Sequence, residues 1–115
     1  MPIKTKRAYE QPDKSDGYRV LVDRLWPRGI SKDEAKLDDW MKDIAPSNEL
    51  RKWYHSNPSE WEEFRKRYLA ELKDHRNELR PLAVKAGAGT VTLVFSSKET
   101  DQNNATVLKQ YLQMI

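Results

Sequence analysis

Two short apolar runs lie far apart in this chain, and their separation restricts the fold more than any other feature. Tyr18 to Leu25 contains the unbroken Val20-Leu21-Val22, and Thr90 to Phe95 reads TVTLVF. An apolar run without polar alternation suits a strand buried on both faces, in the middle of a sheet. About sixty residues of helical patterning separate the two runs, which favours a parallel pair joined by a right-handed crossover. The expected class is therefore α/β: a small, mainly parallel sheet of three or four strands with helices packed on it, Rossmann-like or flavodoxin-like in character. With 115 residues the chain suits one domain, 1–115, large enough to bury a core without disulfide support.

Between and around these runs, start and stop signals divide the chain. Ile3 to Tyr9 alternates weakly and reads as a short edge strand of undetermined direction. Ser31-Lys32-Asp33-Glu34 is a capping box that should open a helix reaching about Asp43, with Leu37, Trp40, Met41 and Ile44 as its apolar face. Ser47 can cap a short helix containing Leu50, Trp53 and Tyr54. Asn57-Pro58-Ser59-Glu60 reads as the start of the longest helix, with Asn57 as cap, and Trp61, Phe64, Tyr68, Leu69 and Leu72 follow at helical spacing. Arg80-Pro81 should break or kink the pattern, and Gly87 should end a short helix after it. Thr100 or Asp101 is expected to cap a last helix with Val107, Leu108, Tyr111 and Leu112 buried.

Composition removes several kinds of chemistry. There is no cysteine, so thiol nucleophiles, zinc ribbons, iron–sulfur clusters and disulfide scaffolds are excluded. His55 and His75 are isolated, which is a poor basis for a transition-metal site; no metal and no cofactor are expected. His55 reads as a hydrogen-bonding residue at a helix end or in a loop, and His75 as exposed. Met1 to Arg7 lacks the apolar centre of a signal peptide, and no apolar run approaches membrane-spanning length. The expectation is a soluble cytoplasmic protein without membrane contact. The net charge is +3, and the charges are interleaved, as in Glu62-Glu63-Phe64-Arg65-Lys66-Arg67, which describes solvated helix faces better than a nucleic-acid stripe.

The polar segments that follow the two strands are the candidate site. Ligands of parallel α/β sheets bind beyond the carboxyl ends of the strands. Asp23, Arg24, Trp26, Pro27 and Arg28 follow one strand, and Ser96 to Asn104 follow the other. Arg24 and Arg28 carry forked donors suited to phosphate or carboxylate, and Lys98 adds a point charge. The start of the last helix and the Asn103 and Asn104 amides would complete an anion cradle. Ser97 joins them as a further ligand contact, Trp26 as a stacking surface, and Asp23 as a general base or an orienter of an arginine. Each residue also has a purely structural reading. Asp23 and Arg24 suit an ion pair, Trp26 a packing plug, and Asn103 and Asn104 helix caps. Trp40, Trp53 and Trp61 fall at core spacing. No histidine stands where it would serve Ser97 as a base, which leaves that serine a weak nucleophile.

Four segments in order, VLVDRLWPRG, IAPSNELRKWYH, PSEWEEFRKRY and VTLVFSSKETDQNNA, resemble the YeaO-like family of uncharacterised domains (DUF488) over nearly the whole chain. The resemblance implies a small α/β domain of bacterial or archaeal type with no established activity and no assigned catalytic residues. The larger group around that family often has a strand ending in Asp-x-Arg followed by Pro-Arg, and a later strand followed by a glutamate and then Cys-His-Arg. Asp23, Arg24, Pro27 and Arg28 match the first part loosely. Ser97 stands where the glutamate falls, and Asn103, Asn104 and Ala105 stand where Cys-His-Arg falls. A thiol or imidazole mechanism therefore does not transfer to this chain.

The sequence thus supports binding of a small anionic ligand, bearing phosphate or carboxylate, with or without hydrolase or transferase chemistry. A nucleic-acid-binding module and a non-catalytic interaction protein are the alternatives. Whether the chain is an enzyme, and its oligomeric state, are left open by the sequence.

Overall fold

In the computed structural model, residues 2–115 are described. Four strands, β1 (Ile3–Arg7), β2 (Tyr18–Leu21), β3 (Asp39–Trp40) and β4 (Val91–Phe95), form one sheet in the order β1-β4-β2-β3. Every pairing is parallel, including that of β1, and the two apolar runs are neighbours with Val20 opposite Leu93. Five helices complete the α/β fold: α1 (Lys32–Ala35), α2 (Asn48–Ser56), α3 (Trp61–Lys73), α4 (Arg76–Ala88) and α5 (Asn104–Met114).

The period-two geometry of the strands divides the interior into unequal halves. Val20, Val22, Val91, Leu93 and Phe95 join the main core with Leu50 of α2, Phe64, Tyr68 and Leu72 of α3, Leu79 and Leu82 of α4, and Leu108 and Leu112 of α5. Leu21 and Val94 point the other way, into a small cluster with Ala8 and the half-buried Trp26, Ile30, Leu37 and Trp40. That second face is covered by the segment between β2 and β3, which has little apolar material to offer. Polar contacts close the rest of it. Asp16 binds Arg19 at 2.6 Å and Lys6 at 3.2 Å, Arg19 Nη2 donates to the Ala35 carbonyl, and Thr92 Oγ1 donates to the Asp16 carbonyl. The turn into β2 depends on Gly17. Its φ of +63° favours glycine, and a Cβ there would stand 2.2 Å from the Thr90 carbonyl oxygen.

Several expected boundaries shift. The strand expected to reach Leu25 ends at Leu21, although the Val22 N–H still bonds the Val94 carbonyl. The capping box at Ser31 forms, but α1 lasts one turn and Lys36 closes it with φ +47°. The residues expected to continue it form β3 and a 3-10 turn at Lys42–Ile44, because the open edge of β2 captures them: Asp38 N–H bonds the Arg19 carbonyl and Met41 N–H the Leu21 carbonyl. Trp40 consequently sits on a strand and not on a helix face. Asn57 does not cap α3. It closes α2, with its side-chain amide donating to Trp53, and α3 begins four residues later. α3 shares the greatest helix length with α4. Pro81 does not break α4: it lies on the exposed face, where water can serve the carbonyl its missing N–H leaves free, and Gly89 closes the helix instead of Gly87. Asn103, and neither Thr100 nor Asp101, caps α5.

Candidate functional site

The loops after β2 and β4 meet above the carboxyl ends of the strands, where they form a cleft of about 970 Å³. Asp23, Arg24, Trp26 and Arg28 line it from one side, and Ser96, Ser97, Asn103 and Asn104 from the other. The juxtaposition has a covalent logic, since adjacent parallel strands must deliver their following loops to the same edge of the sheet.

Hydrogen bonds fix this rim. Asp23 Oδ2 accepts from the Ser96 N–H at 2.9 Å and from Ser96 Oγ at 2.8 Å, while Oδ1 accepts from Asn104 Nδ2 at 3.0 Å. Both carboxylate oxygens are thus engaged, and Asp23 forms no ion pair with Arg24. Trp40 Nε1 donates to the Asp23 carbonyl at 2.7 Å. Arg7 reaches over the end of β1 to the Ser97 and Ser96 carbonyls, and the Tyr9 hydroxyl donates to the Arg28 carbonyl at 3.1 Å.

The amides expected to cradle an anion are turned to the protein. Asn103 is buried, with Oδ1 accepting from the Thr106 N–H and Nδ2 donating to the Glu99 carbonyl. Asn104 Nδ2 is shared between Asp23 and the Val22 carbonyl. Lys98 is exposed and does not line the cleft. Ser97 does, but its hydroxyl accepts from the Glu99 N–H. Trp26 combines both of its readings: its ring lines the cleft while Nε1 donates to the Ile30 carbonyl at 2.6 Å, and it meets Trp40 edge-on at 5.5 Å.

Arg24 is held differently. Nη2 donates to the Ala45 carbonyl at 3.3 Å, and Nε is buried without a hydrogen-bond partner. A buried guanidinium N–H left in that state costs on the order of 1–3 kcal/mol.

A third wall comes from α2, and sequence reading missed it. Asn48, Arg51, Lys52, His55 and Ser56 line the cleft from one helix face, spaced i, i+3, i+4, i+7 and i+8. The signal was present as a cationic stripe at helical spacing, opposite the inward-facing Leu50 and Trp53. Tyr54 lines the cleft beside it, with its ring stacked on Phe64 at 4.3 Å. Burial first, and then the charge of Glu99, push the Tyr54 hydroxyl above its ordinary pKa, so it stays protonated at neutral pH. Behind this wall Tyr68 is wholly buried and donates to the Ile44 carbonyl at 2.8 Å, and burial raises its pKa far above the usual tyrosine value.

The charged residues of the cleft are Arg24, Arg28, Arg51 and Lys52 against the single carboxylate of Asp23. Among the described residues none of these four cations enters an ion pair, whereas Lys6, Arg19 and Arg67 do. The surplus of three positive charges equals the +3 of the entire chain. The residues outside the cleft therefore sum to no net charge. No cluster of three or more His, Asp or Glu suited to a metal ion occurs among the described residues. His75 lies elsewhere, with Nδ1 3.1 Å from Glu78.

Residues 2–114 match the family described as "Inactive DUF488-N3 subclade", and the chain belongs to it, as one of the YeaO-like DUF488 proteins. It is 49% identical to the uncharacterised protein YeaO of Escherichia coli over 115 residues, which is all of both chains. It is 46% identical to uncharacterised proteins of Mycobacterium bovis and Mycobacterium tuberculosis over 112 residues, covering 96% of this chain and 92% of theirs. No solved structure matches it. No helix among the described residues is long and apolar enough to cross a membrane.

Proposed function

We propose that the protein binds a small anionic ligand in the cleft at the carboxyl end of its sheet, without transforming it. The observation that carries this reading is the set of four cations, Arg24, Arg28, Arg51 and Lys52, facing one cleft without a carboxylate partner. Like charges gathered around one concavity repel each other and are relieved by an anion, and the same field steers that anion inward. The arginines supply forked donors for phosphate or carboxylate, and Lys52 a mobile point charge.

The absence of a chemical step rests on Asp23. It is the one carboxylate lining the cleft, and three hydrogen bonds from Ser96 and Asn104 tie both of its oxygens to the protein frame. Asp23 works in this account as a strut that ties the loop after β2 to β4 and α5. The word "inactive" in the family description agrees with it.

Thermal unfolding with added phosphate or sulfate tests the proposal. Arg28 is exposed and its loss relieves like-charge repulsion, so Arg28→Ala should not lower the melting temperature without anion. The wild type should be stabilised progressively, by about 2.7 kcal/mol at about a hundredfold excess over Kd, and the variant much less. An unresponsive wild type, or a variant with the full response, would overturn it.

A further inference from the structure

The cleft is not uniformly polar, and its second component narrows the ligand; this inference rests on the anion-binding reading above. α2 presents a ring next to its cations, since Arg51, Tyr54 and His55 stand at i, i+3 and i+4. Tyr54 is the half-buried outer member of an aromatic series. Its ring is stacked on Phe64 at 4.3 Å and 21°, and Phe64 is stacked on Trp61 at 5.7 Å and 28°. Trp61 lies outside the cleft, and the series opens into it through Tyr54 and the buried Phe64. A ring held from behind in this way offers a flat ligand a surface that needs little ordering on binding. Across the cleft as a whole, the surplus of three positive charges exceeds what one carboxylate would neutralise. A phosphate monoester, close to doubly charged near neutral pH and rich in acceptor oxygens, answers that charge.

We infer that the ligand is a phosphate monoester carrying a flat aromatic ring, with the nucleoside monophosphates as its chemical class. The phosphate lies among Arg24, Arg28 and Arg51, and the base extends the Tyr54–Phe64 stack. No bond is made or broken.

Calorimetric titration of the whole protein with inorganic phosphate, ribose 5-phosphate, adenosine and adenosine 5′-monophosphate tests this. The nucleotide should bind about tenfold or more tightly than ribose 5-phosphate, because one base–aromatic stack is worth that factor. Adenosine, without the anion, should bind more weakly than the nucleotide by at least as much. Tyr54→Leu should bring the nucleotide down to the level of ribose 5-phosphate while leaving the phosphate affinity in place, and Tyr54→Phe should keep the preference. Equal affinities for the nucleotide and ribose 5-phosphate in the wild type would overturn the ring assignment and leave the anion site standing. Failure of every phosphate compound to bind would remove both. The wild-type comparison decides the matter even if Tyr54→Leu does not fold.

Discussion

Asp16 and Arg19 are charged side chains left 2% and 4% exposed, and the sheet around them explains why they are tolerated. Burial alone would raise the Asp16 pKa. The Asp13 N–H together with Lys6 and Arg19 outweighs burial and holds it below the ordinary carboxylate value. A carboxyl whose pKa is lower in the folded state contributes stability that is present above its unfolded pKa, about 3.9. That contribution is lost as the pH falls through the folded value. Replacing Asp16 by Asn leaves Arg19 buried beside a neutral group, which should cost about 3–5 kcal/mol at neutral pH. Urea unfolding between about pH 6 and about pH 3 checks both parts: the wild type should lose stability at the acid end, and the variant should show a flatter curve there. An Asp16→Asn protein as stable as the wild type at neutral pH would remove the cluster from the stability account.

At the scale of elements, α4 is the helix whose sequence argues most against it. Pro81 and Gly87 both lie inside it, yet Leu79, Leu82, Ala83 and Ala86 are buried against the main core. Tertiary burial overrides a weak local preference. A Cβ added at Gly87 would meet no atom within 4 Å. Gly87→Ala should therefore stabilise the protein by roughly 0.5–1 kcal/mol, read as a higher urea midpoint with an unchanged slope. A lower midpoint would mean that the glycine serves a contact the helix geometry does not reveal.

The same balance explains which elements were legible in the sequence. β2, β4, α2, the body of α3 and the buried stripe of α5 announce themselves, because in each the apolar period and the burial agree. The stretch from Leu37 to Ile44 does not. Its apolar residues fit a helix face, but Trp40 joins the small cluster and Met41 the main core, on opposite sides of the sheet. What decides there is the need of the β2 edge for a hydrogen-bonding partner, a long-range demand that no local window contains. The site was legible in its two strand-end segments for the converse reason: parallel topology obliges them to meet. The α2 wall was missed because Arg51, Lys52 and His55 look like any solvated helix face until the fold turns them toward Arg24 and Arg28.

For the molecule as a whole, the distribution of charge matters more than its amount. A net charge of +3 in 115 residues is slight. The proposed reading rests on a surplus of the same size lining one cleft, where the flanking loops are tied by Asp23, Arg7 and Tyr9. Such a site should attract anions at a rate that falls as salt is added. The most direct test is an inorganic phosphate titration followed through the backbone amide resonances of the protein. Shifts should gather at residues 24–28 and 48–56, and around Ser96 and Ser97, and saturate together with one Kd. Shifts confined to other basic stretches, such as Lys4 to Arg7, or none at all, would contradict a binding cleft at the carboxyl end of the sheet.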